Sequence, residues 1–159
     1  MPASIIPLFK LDPTVWKVEG DVLVGKLGDI SNEIYTPVTV NPKAFRFGYK
    51  VKSRWYQMIH VRAGTNVFIY SRGHWENTGG MFVDTRATLR ERGQELVEQP
   101  DEWHSLEVRL QNGALIFFYD GVPVRQTLLR PSSPNAGIEV GFGSWKAAVE
   151  IRDMFFSYD

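Results

Sequence analysis

The feature that most constrains this chain is a series of short runs in which apolar and polar residues alternate, each ended by a tight-turn dipeptide. In residues 105–111 every second residue is apolar, and Asn112-Gly113 follows directly. Alternation with a period of two is typical of a strand that buries one face. Asn-Gly tolerates the positive φ angles of a type I′ turn. This region therefore predicts a β-hairpin.

The same pattern recurs through the chain. Asp120-Gly121 and Gly20-Asp21 are further tight-turn pairs, and residues 45–52 alternate between apolar and mainly basic residues. No window longer than about ten residues has apolar positions at helical spacing, and we expect the polar stretch 85–97 to be an exposed loop or one short helix. About ten or more strands predict an all-β fold, a two-sheet antiparallel β-sandwich (jelly roll), with residues 1–159 in a single domain.

Composition excludes several classes of function. The 159 residues include 43% hydrophobic residues, no cysteine, and 18 Lys+Arg against 18 Asp+Glu. The hydrophobic fraction and the balanced charges favour an ordered globular protein. The lack of cysteine excludes disulfides and thiolate metal sites. Zero net charge makes a dedicated binder of nucleic acid or of an anionic membrane an unfavourable hypothesis. The first residues also lack the basic region and apolar run of a signal peptide, and no stretch is long enough for a transmembrane helix.

Several segments between residues 16 and 25 and between residues 102 and 154 resemble the concanavalin A-like lectin/glucanase superfamily. They are Trp-Lys-Val-Glu-Gly at 16–20, Val-Leu-Val-Gly at 22–25, Glu-Trp-His-Ser-Leu-Glu-Val-Arg at 102–109, Tyr-Asp-Gly-Val-Pro-Val at 119–124, Gly-Ile-Glu-Val-Gly-Phe at 137–142 and Val-Glu-Ile-Arg-Asp-Met at 149–154. Within the superfamily the chain is most similar to laminin-G-like modules and 3-keto-disaccharide hydrolase-like domains.

The resemblance carries its own expectations. Both branches are jelly rolls that commonly bind or act on sugars, which implies a carbohydrate partner and favours a secreted or periplasmic location. We expect either a free lectin-like protein or an accessory module of a larger polypeptide, with a homo-oligomer as a further alternative. Sandwiches of this kind often hold a structural calcium ion, and the candidate ligands here are Asp21 and Asp153.

The sequence lacks the catalytic motifs that would identify an enzyme. The glucanase branch carries Glu-x-Asp-x-Glu on one strand, which places three carboxylates on one face, and this chain has no such triplet. Two pairs, Glu107 with Arg109 and Glu150 with Arg152, have strand spacing, and we interpret them as charge ladders on a solvent-facing sheet surface. His104 follows a strand-opening Trp and is interpreted as structural.

The stretch from residue 55 to 75 predicts a ligand-binding surface. If alternate residues of two neighbouring strands face the same way, one concave sheet face combines aromatic rings with directional hydrogen-bond donors. Rings can stack on the apolar face of a sugar while Arg and His bind its hydroxyls. The predicted binding residues are Tyr56, His60, Arg62, Tyr70, Arg72, His74 and Trp75.

Three functions stay open at this point. The first is a lectin-like module that binds a glycan on the concave sheet. The second is an enzyme of the keto-disaccharide hydrolase type, in which His60 or His74 is the base and the arginine pair stabilises developing negative charge. The third is a structural or oligomerisation domain without sugar binding. Aromatic residues, which make up 13% of the chain, would supply the surface for contacts between subunits.

Overall fold

Two antiparallel β-sheets packed face to face form the described part of this computed structural model, which covers residues 8–26, 32–36, 42–53, 57–72, 80–84, 89–92, 101–129, 137–144 and 148–158. The strands are β1 Trp16–Glu19, β2 Val22–Gly25, β3 Asn32–Tyr35, β4 Phe45–Ser53, β5 Gln57–Ala63, β6 Asn66–Arg72, β7 Gly80–Asp84, β8 Leu89–Arg92, β9 His104–Gln111, β10 Ala114–Tyr119, β11 Val122–Leu128, β12 Ile138–Ser144 and β13 Val149–Tyr158.

The strand order confirms the predicted sandwich. One sheet has seven strands in the order β1-β2-β13-β4-β9-β10-β11, and the other has six in the order β3-β12-β5-β6-β7-β8. The expectation of a loop or helix within residues 85–97 is wrong for β8, which pairs with β7. The rest of that stretch lies outside the described residues. Within the described residues, no helix is long and apolar enough to cross a membrane.

Tight turns connect the strands where the dipeptides predicted them. Asn112 and Gly113 have φ angles of 50° and 76°, and Asp120 and Gly121 have 48° and 78°. These positive values suit a type I′ hairpin, which matches the right-handed twist of the strands it joins. The result is the meander β9-β10-β11.

The core lies between the sheets and is built by alternation. Phe47, Val108 and Phe117 of the seven-stranded sheet are fully buried, as are Ile59 and Val61 of the six-stranded sheet. Each such side chain contributes about 1.5–3 kcal/mol by leaving water. Apolar side chains fill most of the space between the sheets, with a few buried polar residues such as Gln57, Arg72 and Asp84 among them. We therefore expect a polar site that solvent can reach to lie on an outer face or at an end of the sandwich.

Candidate functional site

Strand β5 divides its side chains between the core and the outer face of the six-stranded sheet. Ile59 and Val61 belong to the core cluster, so the alternating His60 and Arg62 point the other way. The sequence analysis predicted this alternation correctly, and it gives the six-stranded sheet two polar side chains on its outer face.

The pairing of β5 with β6 contradicts the predicted shared face. Ile59 lies opposite Tyr70, and Gln57 lies opposite Arg72. Residues directly opposite each other point to the same side of a sheet, so Tyr70 and Arg72 face the core. The expectation that they share a surface with Arg62 is wrong. Three other predicted ligand residues, Tyr56, His74 and Trp75, lie outside the described residues.

The reason for the error is the turn between the two strands. Gly64-Thr65 connects them so that Ala63 pairs with Asn66. The alternation within each strand was correct, but the phase of one strand relative to the other depends on where this turn begins. A shift of one residue moves every side chain of a strand to the opposite face.

The two misplaced residues take part in contacts between the sheets. The Arg72 guanidinium carbon lies 3.8 Å from the centre of the Tyr119 ring, and the Tyr119 hydroxyl donates to Gln57 Oε1 at 3.0 Å. His104 stacks on the same ring with a centroid distance of 5.2 Å, and its Nδ1 lies 2.7 Å from Asp120 Oδ2. These contacts confirm a structural role for His104.

His60 and Arg62 join two residues that the sequence analysis did not select. Glu139 of β12 lies opposite Arg62, and Gly141 of the same strand lies between His60 of β5 and Tyr35 of β3. The side chains of Tyr35, His60, Arg62 and Glu139 therefore meet on the outer face of the six-stranded sheet. We call these four residues the outer polar cluster.

Arg62 and Glu139 form the charged half of the outer polar cluster. Arg62 Nε donates to Glu139 Oε1 at 2.8 Å, and Nη2 donates to Oε2 at 2.7 Å. The guanidinium also lies over the Tyr35 ring, 4.0 Å from its centre. Two parallel hydrogen bonds together with an aromatic platform hold the guanidinium plane in one orientation. The Arg62 side chain is nevertheless 37% exposed, so solvent reaches the guanidinium, whereas Glu139 is only 12% exposed.

His60 supports the outer polar cluster from beneath. It is fully buried, and its Nδ1 lies 3.1 Å from the Tyr35 hydroxyl. Burial lowers the pKa of His60 to about 3, so the imidazole is neutral at ordinary pH. No hydrogen bond to Nε2 is made within the described part of the chain. A buried, uncharged ring suits a residue that positions Tyr35.

Gly141 leaves room for the Tyr35 side chain to pass over β12 and reach His60 on the neighbouring strand. A methyl group at this position would collide with the Ile34 carbonyl oxygen and lie 2.9 Å from Tyr35 Cδ1. Only glycine leaves room for the Tyr35 ring over β12. A sequence signal for this strand does exist, because Glu139, Gly141 and Gly143 alternate with apolar residues. This pattern indicates that the outer face of β12 carries one charged side chain and two glycines, over which a side chain of a neighbouring strand can lie.

The opposite sheet carries a similar charged pair on its own outer face. Arg109 donates to Glu107 from Nε at 2.8 Å, and its guanidinium lies 4.3 Å from the centre of the Phe118 ring. Burial would raise the pKa of Glu107, but hydrogen bonds from Arg109 and Arg46 outweigh it and lower that pKa. The predicted charge ladder at Glu107 and Arg109 is confirmed, and it provides a matched control surface.

The predicted calcium ligands lie apart from any cluster of metal-binding groups. Asp21 is exposed in the turn between β1 and β2, whereas the Asp153 carboxylate lies 3.5 Å from Lys50 Nζ and 3.9 Å from Arg152 Nε. Among the described residues, no three His, Cys, Asp or Glu side chains are grouped so that they could hold a metal ion. A carboxylate paired with cations does not fit a calcium site. Calcium therefore stays a prediction without structural support.

Comparisons with known proteins place the fold. No protein-family model and no curated protein sequence matches the chain. Among solved structures, a carbohydrate-binding module, CBM66 from Bacillus subtilis, has a TM-score of 0.68 at 10% identity, with 90% of this chain and 91% of that chain covered. The carbohydrate recognition domain of Emp46p in a potassium-bound form has a TM-score of 0.67 at 14% identity, covering 95% and 88%.

A third similar structure is the galectin LEC-6 from Caenorhabditis elegans, with a TM-score of 0.59 at 11% identity and 89% and 100% of the two chains covered. The architecture is thus a two-sheet jelly roll with the same fold as these structures. This confirms, at the level of the fold, the resemblance that the sequence segments indicated.

Proposed function

We propose that this protein is a lectin-like module that binds a glycan on the outer face of its six-stranded sheet. Arg62 and Glu139 contact the sugar, and Tyr35 and His60 hold Arg62 in place. The observation that carries the proposal is the bidentate Arg62–Glu139 pair, whose guanidinium is stacked on Tyr35 and still 37% exposed.

The chemistry of this pair suits sugar hydroxyls. A hydroxyl group both donates and accepts, so it can bond a carboxylate oxygen and a guanidinium N–H together. Because both side chains are already fixed by each other and by Tyr35, binding costs little additional rotamer entropy. The similar solved structures described as a carbohydrate-binding module, a carbohydrate recognition domain and a galectin support the same hypothesis.

A glycan array followed by titration calorimetry tests this proposal. We expect Arg62→Ala to weaken binding at least about tenfold, since a charge-assisted hydrogen bond contributes about 1.5–3 kcal/mol. Arg109→Ala is the matched control, because it removes an arginine that is bonded to a glutamate and stacked on a ring on the other sheet. Binding that is unchanged in Arg62→Ala, or equally weakened in Arg109→Ala, would contradict the proposed site.

The positions of His60 and Arg72 disfavour the catalytic roles that the enzyme alternative gives them. His60 is fully buried, and with a pKa of about 3 it is a weak base at neutral pH. Arg62 and Arg72 face opposite sides of the sheet, so they cannot act on one reacting group. His74 stays a prediction outside the described residues. Turnover of a keto-sugar that Arg62→Ala leaves intact would favour an enzyme with a site elsewhere.

The remaining expectations stay predictions. A structural or oligomerisation role would be favoured by light scattering that shows a concentration-independent oligomer in a protein that binds no sugar. Secretion or a periplasmic location is a prediction from the resemblance alone, and membership of a larger polypeptide stays a prediction as well.

A further inference from the structure

We infer that the glycan bound by the outer polar cluster is an uncharged saccharide, and that Glu139 is the residue that selects against uronates, sialates and sulfated sugars. This inference rests on the proposed function and adds the class of ligand. It follows from the state of Arg62, from the charge of the groups around it, and from the exposure of the pair.

The guanidinium of Arg62 already binds a carboxylate. Glu139 takes Nε and Nη2 in two parallel hydrogen bonds of 2.8 and 2.7 Å. This is the geometry through which an arginine recognises an acidic ligand. A uronate or sialate carboxylate could use the remaining N–H groups of Arg62 only by placing a second anion beside Glu139 on one cation. Displacing Glu139 from its two donors would instead leave that carboxylate, only 12% exposed, without its partner. Leaving such a charge unpaired is costly.

The rest of the outer polar cluster adds no positive charge. Burial keeps the His60 imidazole neutral, and Tyr35 is bonded to it through a hydroxyl. The positions opposite His60 and Arg62 on β6 are Ile69 and Val67, which are apolar. The four cluster residues therefore sum to zero, with one cation and one anion, and no second cation within the cluster compensates an incoming anion.

A neutral sugar meets neither obstacle. Two neighbouring hydroxyls can donate to Glu139 oxygens and accept from Arg62 while the ion pair stays closed. Burial of the pair beneath an uncharged ligand keeps both charges compensated, whereas an ionic ligand would leave one in excess. Binding of a neutral sugar should accordingly show little dependence on salt.

The test uses the whole chain and defined probes. Neutral probes are lactose and soluble glucan, galactan, mannan and fructan; acidic probes are sialyllactose, polygalacturonate and alginate. We expect at least one neutral probe to bind about tenfold or more tightly than every acidic probe. Its Kd should change less than about twofold between 50 and 500 mM NaCl, because no net charge is neutralised on binding.

The substitution Glu139→Gln isolates the selecting residue. It removes the anion while keeping an amide of the same size, so the cation on Arg62 becomes uncompensated. We expect neutral binding to weaken at least about tenfold and acidic binding to strengthen at least about threefold. Glu107→Gln on the other sheet is the matched control and should change neither. If Glu139→Gln does not fold, the selectivity and salt dependence of the unmodified protein still decide the inference.

The outcomes separate the two proposals. Tighter binding of an acidic probe that is lost in Arg62→Ala would overturn the uncharged-ligand inference and leave the proposed function standing. Binding to none of the probes, or binding unaffected by Arg62→Ala, would overturn the proposed function and the inference with it.

Discussion

At the scale of single residues, His60 couples the stability of the fold to pH. Its folded-state pKa is about 3, against 6.5 for an unperturbed histidine, because burial excludes the charged form. The unfolded chain therefore binds one more proton than the folded chain between these values, so stability is complete above pH 6.5 and falls as the pH drops. Among the described residues, the Tyr35 hydroxyl contacts His60, and the Arg62–Glu139 pair is the next residue pair along the same face.

This coupling predicts a loss of about 2 kcal/mol in the free energy of unfolding between pH 7.5 and pH 5, at about 1.4 kcal/mol for each pH unit below 6.5. Denaturant unfolding at both pH values measures it. His60→Gln is the comparison variant because glutamine does not titrate, and its loss over the same interval should be smaller by that amount. Equal losses in the two proteins would show that His60 is protonated in the folded state.

At the scale of elements, strands and turns were predictable because their signals are local. Apolar residues at every second position define β9, and the Asn-Gly and Asp-Gly pairs mark the two ends of the apolar strand β10 and the start of β11, without reference to the rest of the chain. The four residues of β8 were not predicted. They carry three charges, and the strand exists because it pairs with β7 at the edge of the sheet. Strand pairing of this kind overrides weak local propensity.

Gly141 links an element to the site, because the pairing of β3 with β12 brings Tyr35 over it. We predict that Gly141→Ala lowers the free energy of unfolding by about 1–3 kcal/mol, the usual cost of inserting a methyl group into a packed position. Glycan binding should weaken as well, since the Tyr35 ring has to move from under Arg62. Thermal unfolding and calorimetry measure the two effects.

The comparison variant for this prediction is Tyr35→Phe, which keeps the ring beneath Arg62 and removes only the hydroxyl bonded to His60. We expect it to lose less glycan affinity than Gly141→Ala, because the ring stays beneath Arg62 although its bond to His60 is lost. A Gly141→Ala protein with unchanged stability would show that β3 does not approach β12 as closely as described.

At the scale of the whole molecule, the two sheets are joined by polar contacts as well as by the apolar core. Arg72 extends from the six-stranded sheet to the Tyr119 ring of the seven-stranded sheet. We predict that Arg72→Ala lowers the free energy of unfolding by about 2 kcal/mol, because a desolvated cation–π contact and the packing of the arginine stem are lost. Glycan affinity of the folded variant should be unchanged. A folded Arg72→Ala protein that no longer binds sugar would place the binding site next to Arg72 instead of at the outer polar cluster.

The candidate site was only half predictable at this scale. His60 and Arg62 were recognisable from their own strand, but their partners come from elsewhere in the chain. Tyr35 is separated from His60 by 25 residues, and Glu139 from Arg62 by 77. Which strands become neighbours depends on the topology of the complete sheet, and no local pattern around residue 60 contains that information.

The two-residue connection Gly64-Thr65 has a consequence for how such a surface could be redesigned. Adding one residue there would exchange the inward and outward sets of β6, bringing rings and a cation to the exterior and three small or aliphatic groups into the interior. The side chains that a ligand could contact on the outer face would change without any substitution in either strand. The length of the turn between β5 and β6 therefore determines which ligand the surface can bind as much as the identity of the side chains does.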